Sequence, residues 1–342
     1  MLKLLSLTLM VFVLASCTTP PQKFNIKNEE QSLVWPSSGE VARYSYVGEL
    51  DGEVLEDTSF KKDWWGWIVG LVQGQSQPLK MKRPYHVYVD QQGKIYVADL
   101  GLPGVFVFNT QDKTLDVWKS LNGHQALAAP VSIIEVNGEI WVADADLARI
   151  VRFDKQGNIL GRVGEGQLTR PLGLAYDQAN QIVYIVDSQQ HKIKLFTSKG
   201  LFIREIGKRG EGLGEFNFPT AISFKQGLIY ISDSMNARVQ VIDPNGEVKS
   251  VFGYRGLNVG NTPRPKGIAV DSDDNVYIVE SYYGYLLVYD KSGRFLLPIS
   301  AKNSAIGDFY LPAGVTLDHN DRVYLADMFN GRVVMFQYLG AE

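Results

Sequence analysis

Tyr230-Ile231-Ser232-Asp233-Ser234-Met235-Asn236-Ala237-Arg238-Val239 carries the pattern on which the rest of the chain is built. Alternating apolar and small residues run into an acid. A short polar loop follows, and a basic residue opens a second apolar run. Alternation with period two is a strand signal, and Asp, Ser and Asn are turn residues. Working outward, the first of these strands recurs as Ile95–Asp99, Ile140–Asp144, Tyr184–Asp187, Val276–Glu280 and Val323–Asp327. The strand after the loop recurs as Val105–Phe108, Ile150–Phe153, Ile193–Phe196, Leu286–Tyr289 and Val333–Phe336, beside Val239–Ile242 itself. Upstream of each pair stand a Pro and another alternating run. The six Pro anchors are Pro84, Pro130, Pro171, Pro219, Pro265 and Pro312, spaced 46, 41, 48, 46 and 47 residues apart. A further strand is visible in several units, as in Leu201–Ile206.

Four short antiparallel strands in units of 41–48 residues, repeated six times, predict an all-β fold, a six-bladed β-propeller. The last unit has only three strands before the chain ends, and an open sheet edge is a liability. Val41–Leu50 alternates and precedes the first blade, so it is expected to close the ring as the outer strand of blade 6. The 342 residues are 45% hydrophobic and 21% charged, with a net charge of −3, which argues against disorder and against a nucleic-acid partner.

The repeats resemble NHL repeats. Arg264-Pro265-Lys266-Gly267-Ile268-Ala269-Val270-Asp271 is similar to the opening motif of that family, and Tyr230–Val239 to its middle. Gly207–Pro219 is similar to its glycine-rich interblade loop. The resemblance spans about Pro84 to Phe336. Repeats one, two and five depart from it most: His86 and Ser132 stand where the motif has Gly, and Tyr282-Tyr283-Gly284-Tyr285 replaces the usual loop of blade 5. What the family implies is protein or ligand interaction more often than catalysis.

Before the repeats, Met1-Leu2-Lys3 and the apolar run Leu4–Leu14 lead into Leu14-Ala15-Ser16-Cys17. The run is too short to span a bilayer, which takes about 20 residues. The segment resembles the lipobox of bacterial lipoproteins. That resemblance implies a signal peptide over 1–16, a lipid on Cys17 and a place in the cell envelope. Thr18 in place of Asp implies the outer membrane. Residues 17–40 then read as a flexible tether with Pro20, Pro21 and Pro36, and residues 41–342 as the propeller. Asp63–Val72 falls outside the repeat, in an insertion at about 60–75. Its Trp64, Trp65 and Trp67 could pack on the propeller, lie in a membrane interface or meet a partner.

The acids closing the second strands could ring a central channel and hold Ca²⁺. The residue five positions on favours a structural role. Asp144 precedes Arg149, Asp233 precedes Arg238, Asp327 precedes Arg332, and Asp187 precedes Lys192, so each acid is expected to cap its loop and pair with that base. No cofactor is expected. His86, His124, His191 and His319 share no blade position and show no metal-ligand spacing. This argues against a zinc-dependent propeller lyase. His86 opens an inner strand, where it could face the channel mouth, and it is the candidate for a pH-sensitive or ligand-contacting group. No Gly-x-Ser-x-Gly elbow, Walker loop or His-Glu-x-x-His occurs.

In blade topology the loops between second and third strands share a face with the interblade loops. That face is expected to hold Lys80, Lys82, Arg83, Arg170, Lys208, Arg209, Arg255, Arg264 and Lys266. The opposite turns are rich in Asp. Basic loops with exposed tyrosines, Tyr282, Tyr283 and Tyr285, suit an anionic polymer or another envelope protein. The function expected is therefore a membrane-anchored binding protein. The alternative is a metal-dependent hydrolase or lyase of lactonase type.

Overall fold

The computed structural model describes residues 22–28, 33–37, 40–52, 79–121, 124–125, 127–300 and 306–340. Six antiparallel sheets follow one another around a ring; in blades 2 to 5 the strands run in chain order from the axis outward, and N-terminal strands form the outer edges of blades 1 and 6. Blade 3 is typical, with Pro171–Asp177, Ile182–Asp187, Lys192–Thr197 and Phe202–Ile206. The second and third strands bury nearly every residue, because each blade packs both faces on its neighbours. Tyr184, Ile185, Val186 and Ile193 are all fully buried. The outermost strands turn one side to solvent, and Phe202 and Ile203 are exposed.

Aromatic rings fill the wedges between blades. Trp118 of blade 1 stacks on Phe153 of blade 2 with centroids 5.5 Å apart, and Trp141 is fully buried. Burying such a ring contributes several kcal/mol, since large-to-Ala changes in cores cost about 3–5 kcal/mol.

The ring closes as expected. Tyr44–Leu50 pairs antiparallel with Arg332–Tyr338, with Leu50 opposite Val333 and Tyr44 opposite Tyr338. Two further links hold this strand. Tyr44 Oη and Tyr277 Oη of blade 5 lie 2.9 Å apart, and Tyr277 donates to Asp271 at 2.8 Å. Arg332 reaches Glu49 at 2.7 Å and Asp327 at 2.9 Å.

The tether does not run free over its whole length. Gln22–Lys23 adds a fifth strand to blade 1 beside Thr114–Trp118, and Val34–Trp35 adds one to blade 6 beside Tyr44–Leu50. Phe24 and Trp35 are buried and meet Phe108 and Phe336 edge to face. Phe24 and Trp35, with Ile26 and Leu33 packed beside them, gain by covering the outer edges of blades 1 and 6. Cys17 and the segment with Trp64, Trp65 and Trp67 lie outside the described residues.

Deleting residues 1–50 removes this outer strand and uncovers the edge of Arg332–Tyr338. The truncated protein is expected to aggregate and to melt well below the full chain in a thermal scan with light scattering. A monomeric truncation with an unchanged melting point would refute the closure.

Candidate functional site

All six acids at the ends of the second strands are fully buried. Their partners are mainly backbone N–H groups of the loop that leads into the same blade. Asp99 accepts from Lys82 at 2.7 Å and Arg83 at 3.0 Å, just before Pro84, and from Gly101 and Leu102, each at 2.7 Å. Asp144 accepts from Ala128 and Ala129, Asp187 from Thr169 and Arg170, Asp233 from Asn217 and Asp327 from Tyr310. Glu280 accepts from Tyr282 and Tyr283. Burial pushes the carboxyl groups of Asp99, Glu280 and Asp327 up, against the hydrogen bonds that favour the charged form. Among the described residues, no three His, Cys, Asp or Glu side chains gather as a metal site.

The paired bases follow the expectation in two blades. Arg238 Nε meets Asp233 at 2.8 Å and Arg332 Nε meets Asp327 at 2.9 Å. The other two need correction. Arg149 reaches Glu165 at 3.2 Å, while Asp144 takes backbone donors. Lys192 pairs with Glu205, and Lys194 lies 3.4 Å from Asp187. Only the Arg side chains of blades 4 and 6 meet an Asn, Asn236 or Asn330, donating to the same carboxylate, so the loop there wraps back onto the acid.

These carboxylates set the position of the two residues after each Pro. A small pocket opens on the axis there, and it is lined by those residues from all six blades: Tyr85 and His86, Val131 and Ser132, Leu172 and Gly173, Thr220 and Ala221, Lys266 and Gly267, Ala313 and Gly314, with Ile222 and Ile268 behind. Its volume is about 20 Å³, room for one water-sized group. The motif glycine is there because innermost strands nearly touch. A Cβ on Gly267 would lie 2.7 Å from the Ala313 carbonyl oxygen, and one on Gly314 would lie 2.5 Å from that of Tyr85.

Three blades lack this Gly, carrying His86, Ser132 and Ala221, and the first two use a polar side chain to bridge the gap. Ile133 N–H donates to His86 Nδ1 at 3.3 Å, and Leu174 N–H donates to Ser132 Oγ at 3.1 Å. The neutral His86 ring therefore carries its proton on Nε2. Burial lowers its pKa to about 4. His86 does stand at the channel mouth. His191 sits elsewhere, buried under Phe218 with ring centroids 4.5 Å apart, and His319 is exposed on the opposite face.

Lys266 is not a rim residue. It lines the pocket, with Nζ 5.7 Å from the centre of the Tyr85 ring across the axis. Lys82, Arg83, Arg170, Lys208, Arg209, Arg255 and Arg264 are exposed in the loops of the same face. Some are engaged: Lys208 with Glu215 at 3.1 Å, Arg170 with Asp146 at 3.1 Å, and Lys80 near Asp51 at 3.8 Å. Arg255 donates to the Met235 carbonyl at 3.0 Å.

The apolar residues of this face are marked by one column of the repeat. Two positions after the buried acid, blades 1, 2 and 3 carry Gly101, Asp146 and Gln189, whereas blades 4, 5 and 6 carry Met235, Tyr282 and Phe329. These last three are exposed, and Tyr282 keeps 63% of its surface. Phe218, Tyr254, Leu257, Val259 and Tyr310 in the adjoining interblade loops are exposed too, with Tyr310 against Phe329 at 5.3 Å. Half of the face is therefore an apolar arc. Tyr283 and Tyr285 are half-buried, and Tyr285 packs on the core of blade 5.

A protein family described as a six-bladed β-propeller matches residues 176–256. NHL repeat-containing protein 2 of Gallus gallus is 26% identical over 107 residues, 28% of this chain and 15% of its own length. The chain is an NHL-like six-bladed β-propeller. It spans 11% to 15% of the length of the curated relatives it matches. An auxiliary nutrient binding protein from Bacteroides thetaiotaomicron superposes with a TM-score of 0.59 at 10% identity, over 76% of this chain and 70% of that one. Virginiamycin B lyase from Staphylococcus aureus superposes with a TM-score of 0.56 at 17% identity, over 75% and 96%. At these identities the likeness concerns the fold alone, which in this NHL-like propeller is shared with binding proteins and enzymes.

Two measurements test this geometry. Asp99→Ala leaves four backbone donors without their acceptor and is expected to cost about 3 kcal/mol in urea unfolding. A loss under about 1 kcal/mol would contradict the stapling role. His86 has a lower pKa folded than unfolded, so the unfolded chain binds more protons between about 4 and about 6.5. Its contribution is complete above the unfolded value and is lost as pH falls through this window. The melting point of His86→Gln should therefore fall less than that of wild type between pH 7 and pH 4. Parallel pH curves for the two proteins would contradict it.

Proposed function

We propose that this protein is a binding module of the bacterial cell envelope. In this reading a lipid on Cys17 holds it at the outer membrane, and the loop face of the propeller contacts another envelope protein or an anionic ligand. The observation that carries the reading is the coincidence on one face of the axial pocket, the apolar arc of blades 4–6 and the bases Arg209, Arg255 and Arg264. Large exposed apolar side chains next to Arg are the composition of interface centres. The fold's likeness to nutrient-binding proteins of Bacteroides is compatible with such a role.

Binding is favoured over hydrolase or lyase chemistry by the pocket itself. Its lining offers one imidazole and no carboxylate, and the buried acids are already engaged by loop N–H groups. An acid–base pair or a metal would need several such groups aimed at one point.

The test is in-cell crosslinking of the tagged, full-length protein, followed by mass spectrometry. One variant carries Lys208→Glu, Arg209→Glu and Arg255→Glu, and another carries Tyr282→Ala and Phe329→Ala. A discrete envelope partner, reduced at least tenfold in both variants, is the expected result. Capture of the same partner by all three proteins would show that this face is not the contact, and the absence of any partner would count against the module.

A further inference from the structure

The axial pocket collects hydrogen-bond donors and one cation. Lys266 brings Nζ, His86 brings Nε2–H, and Tyr85 and Ser132 bring hydroxyl groups, while the Thr220 hydroxyl is taken up by Ser234 and the Pro265 carbonyl. No Asp or Glu lines it. Two of the surrounding exposed bases have acidic partners, Arg170 with Asp146 and Lys208 with Glu215. Lys266 has, among the described residues, no carboxylate at ion-pair distance, and the one partner seen is the face of Tyr85. An ammonium held without a counter-ion away from bulk water is costly, and folds seldom keep one without a use for it. Burial accordingly pushes its pKa down, and the Arg264 charge pushes it further the same way.

We infer that the axial pocket receives the carboxylate end of a small organic anion, with Lys266 as its charge partner. This rests on the loop face being the ligand-binding face and names the ligand chemistry at its centre. A single cation matches a monoanion, which favours a carboxylate over a phosphate dianion. The walls agree with an organic ligand, since Val131, Leu172, Ile222 and Ile268 surround the polar groups with apolar surface. With about 20 Å³ available, only one oxygen of the carboxylate enters, and the rest of the ligand lies toward the apolar arc.

The test is thermal unfolding of the full chain in sodium acetate, sodium chloride and sodium phosphate at equal ionic strength. Wild type, Lys266→Met and the control Lys225→Met, changed at the far end of the blade 4 inner strand, are compared. Acetate is expected to raise the wild-type melting point by about 2–4 °C over chloride, with phosphate giving less. Lys225→Met should respond in the same way. Lys266→Met should lose the acetate response and melt above wild type in chloride, because a half-buried charge without a carboxylate partner has gone. A wild type indifferent to acetate overturns the site, as does a response that survives in Lys266→Met or is larger with phosphate. Should Lys266→Met fail to fold, the ring-nitrogen NMR signals of His86, identified by their absence in His86→Gln, must shift with acetate, and fixed signals overturn the site. An acetate response without a crosslinked partner removes the partner and keeps the site. A captured partner without an acetate response removes the site alone.

Discussion

A buried carboxylate at the end of every second strand holds the backbone of the loop entering that blade. It accepts from the N–H groups one and two residues before the Pro in blades 1, 2 and 3, and two residues before it in blades 4 and 6. The loops cannot hydrogen-bond into a sheet, so without the acid these donors would stand unmet at the sheet margin. With it, each Pro is set at a fixed depth. The next two residues then reach the axis at the same level in all six blades. Pocket, rim and apolar arc all take their positions from this one contact.

Much of the architecture was legible because strand period, turn residues and Pro spacing report local geometry, and the geometry repeats. The closing strand was legible for the complementary reason, since a three-stranded last unit needs a fourth. Side-chain partners were less so. Arg149 and Lys192 sit opposite their acids in register, yet a third-strand base can turn outward to the next strand, and Glu165 and Glu205 draw them there. The tether was misjudged because Phe24 and Trp35 are isolated aromatic residues without periodicity, and their burial depends on blade edges far away in sequence.

Loop charge sorted by blade face alone groups Lys266 with the rim bases, because the face of a blade carries no information on depth. The six-residue column after each Pro would have placed it. Read across blades, that column is Tyr85, Val131, Leu172, Thr220, Lys266 and Ala313, and the column after it is Gly except for His86, Ser132 and Ala221. In a ring, departures from a repeat matter most where the copies converge. His86 and Ser132 broke the motif, and both became bridges to the next blade. The symmetry that builds the fold is thus broken at the axis and in the apolar arc, the two places where a ligand would meet the protein.

The closing strand also decides the order in which the protein can become whole. Glu49 and Arg332 are 283 residues apart, and the sheet they join is the last to be completed. Chains are made from the N-terminus, so Tyr44–Leu50 emerges first and waits through the synthesis of every blade for its neighbour. Blades 1 to 5 can collapse against one another meanwhile, but the circle stays open until the final strand arrives. A chain cut short anywhere before Tyr338 leaves Tyr44–Leu50 without its full partner, so the ring is whole only once these two distant strands have met.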